Sequence, residues 1–210
     1  MTTLAFALAA TIKHDGHGGI ADLLSTPEES VAWLREQKPP LTHVLGPVLP
    51  TDLGRFLHPI RAEILPNLDA SRAWCELVRM RRAVRALFAR AVAPGAPSKV
   101  DADRLMELDD ALRMVNDAAG RLGTTRLEWV DEPRLRWAYQ TEDPVELLAG
   151  AVGRSAIEFL SGPDRERLRA CPAARCVKYF LQDDPRQTWC SPACGNRERV
   201  NRHYRKRTAG

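Results

Sequence analysis

No apolar run in this 210-residue chain approaches the roughly 18 residues that a membrane helix needs; the most apolar opening, Leu4 to Ile12, is half that length and follows no Lys or Arg. No membrane attachment and no secretory leader are expected from it, which points to a cytoplasmic, nucleoid-associated protein. The chain also lacks G-x-S-x-G, a phosphate-binding glycine loop, H-E-x-x-H and paired glycines after a strand, so no catalytic residue is nominated and an enzyme is not expected. Cysteine is scarce: Cys75 stands alone in the first 170 residues and, beside Trp74, reads as a small buried apolar side chain. Acids are scarce at the other end, where residues 171 to 210 hold only Asp183, Asp184 and Glu198.

Those last forty residues carry the remaining four cysteines, Cys171, Cys176, Cys190 and Cys194, spaced C-x4-C-x13-C-x3-C. Two close pairs separated by a short insert suit a tetrahedral all-thiolate zinc site, with one structural ion per chain and no open position for water. Two disulfides are the alternative, but cytosolic thiols stay reduced, which favours metal. Cys171-Pro172-Ala173-Ala174-Arg175-Cys176 can turn so that backbone amides face the sulfurs. Val177 to Leu181 and Arg186 to Trp189 flank Asp183-Asp184-Pro185 and read as a short hairpin. Ser191-Pro192 has the form of an N-cap followed by proline at the first helical position, placing Cys194 in a helix's first turn. Knuckle, hairpin and ligand-bearing helix are a treble-clef-like order.

Charge points to a polyanion. The same forty residues hold nine Lys and Arg against three acids, or +6; the whole chain is +4, so residues 1 to 170 are −2. Four thiolates and one Zn2+ leave the module near +4. On a helical wheel Ala193, Val200 and Tyr204 share a face expected to pack inward. Arg199, Arg202 and Lys206, with Arg205 beside them, form an outer stripe suited to phosphate. Arg197 falls near the apolar stripe and is expected to pair with Asp183 or Asp184, or to stack on Trp189. Asn196 is placed at the inner edge, bonding hairpin backbone.

The run Cys194-Gly195-Asn196-Arg197, with Trp189-Cys190-Ser191, the aspartate after the aromatic pair and the basic run that follows, resembles the CGNR zinc finger. The preceding 170 residues resemble, in layout, the ABATE domain that accompanies this finger. The amino end differs: Leu4-Ala5-Phe6-Ala7-Leu8-Ala9 stands where a Leu-Asp-Phe-Val-Asn-Thr-like stretch is common. The resemblance implies a stress-linked bacterial transcription regulator that binds double-stranded DNA.

Upstream, periodicity predicts an α+β, helix-rich domain over residues 1–163 and a linker over 164–170, ahead of the finger at 171–210. Leu4 to Ile12 reads as a strand ending in the loop His14-Asp15-Gly16-His17-Gly18-Gly19. His14 and His17 lack the further convergent ligands that zinc requires. Thr26-Pro27-Glu28-Glu29 opens a helix with a capping box, running to about Gln37. Lys38 to Pro50 reads as a proline-rich connector. Leu53, Phe56, Leu57, Ile60 and Ile64 follow at helical spacing, interrupted by Pro59.

A helix over Asp69 to Val92 turns Leu77, Val84 and Phe88 inward and Arg79, Arg82, Arg85 and Arg90 outward or to the edges, as a solvated face paired with Asp101, Asp103, Glu107 and neighbours. Leu105, Leu108, Leu112 and Val115 mark its antiparallel partner. Arg126-Leu127-Glu128-Trp129 and Arg134-Leu135-Arg136-Trp137 form a β-hairpin with Leu and Trp on an inner face. Asp143-Pro144 starts a last helix with Leu147, Leu148, Val152 and Phe159 inside. The expected function is a zinc-dependent DNA-binding regulator, possible as a homodimer, whose N-terminal domain senses a small molecule or protein through that last helix. The alternative is an adaptor whose finger binds an acidic protein or RNA.

Overall fold

A computed structural model of the chain describes residues 3–15, 19–46, 69–102, 105–129 and 131–208; the side chains of Leu135, Trp137, Lys206 and Thr208 are outside that description. His17, Asp103 and the helical pattern from Leu53 to Ile64 fall outside the described residues.

The chain opens with helix α1 (Leu4–Ala9), not a strand. An apolar run with no polar punctuation carries neither period, so composition and capping decide. Leu and Ala favour helix, and the Thr3 hydroxyl caps it by accepting from the Phe6 amide at 3.3 Å. Strand begins only at β1 (Ile12–His14), paired antiparallel with β2 (Ile20–Asp22). Helix α2 (Pro27–Glu36) starts as expected: Thr26 Oγ1 accepts from the Glu29 amide, and the Glu29 carboxylate reaches back to the Ser25 amide.

The segment expected as a connector forms α3 (Lys38–Leu45). Its prolines sit in the first turn, where a missing N–H costs nothing.

Three helices then build the body: α4 (Ala70–Ala91), α5 (Leu108–Arg121) and α6 (Pro144–Ser161). Asp69 caps α4 and Asp143 caps α6 through their carboxylates. Helix α5 packs chiefly on α6, and closely. A Cβ on Gly153 would lie 2.7 Å from the Val115 carbonyl oxygen, and one on Gly150 the same distance from Leu122 Cγ. The buried face of α5 is therefore the small-residue stripe Ala111, Val115 and Ala118, while Leu108 and Leu112, expected inside, are exposed. Phe6, Phe88 and Phe159 meet in the core as a tilted cluster.

Strands β3 (Thr124–Trp129) and β4 (Pro133–Ala138) form the expected hairpin, with Leu127 opposite Leu135. Among the described residues, β3 presents no buried inner face to the body. Leu127 and Trp129 are each 71% exposed. Cys75 is likewise exposed rather than buried.

The largest departure concerns the arginines of α4. Arg79, Arg82 and Arg90 are exposed, as expected, but Arg81 and Arg85 are buried. Arg81 forks onto Asp22 (Nη1–Oδ1 2.5 Å, Nη2–Oδ2 2.7 Å) and donates to the Thr11 hydroxyl, tying β2 and the turn after α1 to α4.

Burial would raise the Asp22 carboxyl, but the bonds from Arg81 and the Leu24 amide outweigh it and hold the group below the usual carboxylate range. Its stabilisation is therefore complete above the unfolded value near pH 4 (about 3.9) and is lost as pH falls through the folded value. Asp22→Asn should lower neutral-pH stability by about 1–3 kcal/mol and remove part of the loss between pH 5 and about 2. Denaturant melts of both proteins across that range measure it; parallel pH profiles would contradict it.

Candidate metal centre and nucleic-acid interface

After α6 the chain makes a short 3-10 turn (Pro163–Arg167) and then β5 (Leu168–Ala170), inside the stretch expected to be a linker. Strand β5 pairs antiparallel with β6 (Tyr179–Leu181). The hairpin of the module is thus β5 with β6, wrapped around the first cysteine pair. The expected partner of β6, Arg186 to Trp189, is not a strand. A polar turn does hold residues 182–187: Asp184 Oδ1 accepts from the Arg186 amide, and Gln182 Nε2 donates to the Pro185 and Gln187 carbonyls. The carboxylates and proline there satisfy a turn locally, so no ladder is needed to hold it.

The four cysteines converge. Their sulfurs all lie within 4.8 Å of one another, with Cys176–Cys190 and Cys190–Cys194 at 3.6 Å. A disulfide would bring two sulfurs to about 2.05 Å. Around a zinc ion with bonds of about 2.3 Å, the sulfur edges of a tetrahedron are about 3.8 Å, which these distances match. Cys171, Cys176 and Cys194 are buried with Ala173 and Phe180, and Trp189 packs against them.

Backbone amides of Ala173 and Cys190 point at the Cys171 sulfur, and that of Lys178 at the Cys176 sulfur. Thiols of Cys176 and Cys190 donate to Cys171 and hold it as a thiolate far below the usual thiol range; its charge and bonds push those two up. A divalent cation bound by the four sulfurs would take the place of the shared protons. The donor set and spacing suit one zinc ion.

Helix α7 (Pro192–Thr208) begins as expected, the Ser191 hydroxyl accepting from the Cys194 amide at 3.3 Å. Its inner face is different. Ala193, Val200 and Tyr204 are exposed, the last two at 53% and 63%. Cys194 and Gly195 are buried, and Arg197, Glu198 and Asn201 are half-buried. Cys194 anchors the helix in the four-sulfur cluster, where it would ligate the ion, and that overrides a wheel drawn from apolar residues. A Cβ on Gly195 would lie 3.2 Å from the Trp189 ring, which leaves room only for glycine or a shifted indole.

Glu198, unassigned by the sequence reading, accepts from the Ala174 amide at 2.7 Å and from Asn201 Nδ2 at 3.4 Å, joining α7 to the first knuckle. Asp183 bonds Arg167 rather than Arg197. Arg197 Nη1 is enclosed with no hydrogen bond among the described residues, and Asn196 is exposed. Arg199, Arg202 and Arg205 are exposed on the outer side; the Lys206 side chain is outside the description.

The module is bolted to the body through Arg85. Its Nε donates to Asp101 Oδ1 (2.9 Å), Nη1 to the Ala9 carbonyl (2.6 Å), and Nη2 to Ser98 Oγ (3.0 Å) and the Val177 carbonyl (3.2 Å). The guanidinium also lies 5.0 Å from the centre of the Tyr179 ring. Tyr179 donates to Asp101 Oδ2 at 2.8 Å and accepts from the Ser98 amide. Burial and the Asp101 charge push its hydroxyl well above the usual phenol range, so it remains a donor. Lys99 Nζ donates to the Cys171 carbonyl at 3.2 Å. The pairing with Asp101 is as expected from the sequence, whereas the burial of the pair and its reach to Ala9 and Val177 had no signal there.

Two outcomes are expected. Arg85→Met should cost about 3–5 kcal/mol, because Asp101 stays buried without its cation, and hydrogen exchange should quicken across both 98–101 and 171–181. Quickening confined to α4 would contradict the junction. Metal analysis should find one zinc per chain in wild type and in Cys75→Ala, but loss of it in Cys190→Ser. Full zinc in Cys190→Ser would overturn the ligand set.

Comparison with curated proteins finds no match to the chain. Two family models match. One, over residues 167–207, is the CGNR zinc finger, and covers the four sulfurs and α7. The other, over residues 2–163, is ABATE, described as "Putative stress-induced transcription regulator". Neither is an enzyme family. With most of its length matched by the first domain and nearly all the rest by the second, the chain belongs to the ABATE family and carries a CGNR zinc finger.

Proposed function

We propose that this protein is a zinc-dependent, DNA-binding transcription regulator whose N-terminal domain answers to a ligand or partner inside the cell. The observation that carries the reading is the four-sulfur cluster fixing α7 by Cys194 while Arg199 and Arg202 face solvent beside Arg205. Cys171, Cys176, Cys190 and Cys194 would hold one zinc ion as a closed four-thiolate set, and the ion would supply rigidity rather than chemistry. The chain's own residues do the binding. Exposed guanidinium groups on one side of a helix present fork-shaped donors to phosphate oxygens, and a base edge within reach of one of them adds sequence preference. Trp189 over Gly195 and Glu198 on the knuckle keep that helix at a set angle.

An effector has a place to act. A cleft of about 350 Å³ opens between α4 and α5, lined in part by Glu76, Arg79, Met106, Asp110, Arg113 and Met114. Its mix of paired charges and thioethers suits a small polar molecule with an apolar part. Glu76 and Arg79 lie on the same helix as Arg85, so a shift of α4 reaches the finger by direct contact.

In duplex binding, Arg199→Ala and Arg202→Ala should each weaken affinity on all sequences and flatten the salt slope by about 0.9 per lost phosphate contact. A guanine-reading arginine should instead relax preference at one position, at a cost of about 1–3 kcal/mol. Arg197→Ala should act mainly on finger stability. Unchanged affinity and salt dependence after replacing Arg199, Arg202, Arg205 and Lys206 together would reject DNA binding in favour of an acidic protein or RNA as the target.

A further inference from the structure

Strand β3 is exposed at every position, and its sheet contains only β4. Alternation puts Thr125, Leu127 and Trp129 on one face and Thr124, Arg126 and Glu128 on the other. A two-stranded hairpin standing on its own is marginal in water, and one with a bare Trp and Leu invites a further strand or layer. Its root is firm, since Gly123 (φ 84°) leaves no room for a Cβ against the Ala138 carbonyl oxygen. The outer edge of β3 has no strand partner among the described residues.

We propose that this edge is the seam of a homodimer: two copies of the chain join β3 to β3, antiparallel, about a two-fold axis at Leu127. Charge selects both the occupant and the register. An antiparallel pairing that keeps Leu127 and Trp129 of both copies on one face can slip only in steps that preserve the alternation. Centred on Leu127, it sets Arg126 of each copy opposite Glu128 of the other, and Thr125 opposite Trp129. Centred on Arg126 or on Glu128, it sets like charges face to face. Glu128 uses Oε2 for Arg136 within its own hairpin (2.9 Å), which leaves Oε1 for Arg126 of the second copy.

The other edge cannot serve. Strand β4 paired with itself opposes arginines in the registers of greatest overlap, those centred on Arg134, Leu135 and Arg136, and Pro133 lacks an N–H. Joining β3 to β4 of a second copy leaves both outer edges open and does not close. The β3 seam closes, giving a four-stranded sheet with four apolar side chains from Leu127 and Trp129 gathered on one face. It stands apart from the DNA-binding reading and needs no nucleic acid.

The test uses the full zinc-loaded chain in sedimentation equilibrium without DNA. Wild type should be a dimer. Arg126→Glu and Glu128→Arg should each raise the dimer dissociation constant about tenfold or more, since each replaces two attractive cross-strand pairs by two repulsive ones. An equimolar mixture of the two variants should recover dimer as the heterodimer, in which both pairs are again complementary, and the double variant R126E/E128R should recover it alone. The recovery separates a lost seam from a damaged fold. Monomeric wild type at about 100 µM, dimeric single variants, or a mixture that stays monomeric would each overturn the proposal.

Discussion

The buried guanidinium of Arg85 is the constraint on which the rest of the molecule depends. A cation removed from water is tolerable only when its donors are matched, and here Asp101, Ala9, Ser98 and Val177 accept from all three nitrogens. Those acceptors come from α1, from the turn after α4 and from the metal-binding module. One side chain thus requires three parts of the chain to be in place together. Tyr179 closes the arrangement, resting beneath the guanidinium, bonding Asp101 and meeting Phe88 edge-on in the main core.

Strand β6 shows how the finger and the body share material. Neighbouring residues on a strand point to opposite sides, so Tyr179 enters the body's core while Phe180 lies among the cysteines. Leu168 on the paired strand also belongs to the main core. The metal cluster is therefore not a bead on a flexible tether. Its first knuckle is held from one side by zinc chemistry and from the other by Lys99, Ser98 and Arg85.

This construction leaves α7 as the part of the module that faces outward. Its first two turns touch the knuckle and Trp189, through Cys194, Gly195 and Glu198, and Arg199, Arg202 and Arg205 further along are exposed. A rigid start and a solvated continuation suit a helix that meets a large polyanion. The β3–β4 hairpin is the other outward feature, and its bare Leu127 and Trp129 contrast with the tight, glycine-lined contact of α5 on α6 a short distance along the chain.

Capping chemistry and ligand spacing were legible in the sequence because they are local: Thr26, Asp69, Asp143 and Ser191 each bond an amide two or three residues on, and four thiols at short spacings need only one turn or helix start per pair. The hairpin at 124–138 was legible for the same reason, its register being set within a dozen residues. What local pattern could not contain was which face of an element meets another. The apolar count on α7 pointed to Val200 and Tyr204, but Cys194 turns inward to the sulfur cluster instead; the leucines of α5 yielded the core to Ala111 and Ala118 because Gly150 and Gly153 bring α6 too close for larger side chains. Local pattern held no signal for Arg81, whose partner Asp22 lies 59 residues away, and although Arg85 was expected to pair with the acids around Asp101, its burial could not be read because burial is not a local property. The sequence by itself determined the starts of α2, α4, α6 and α7, the hairpin at 124–138 and the grouping of the four thiols. Only tertiary structure decided which charges are buried and how the finger is held, since desolvation and its compensation depend on groups that folding alone brings together.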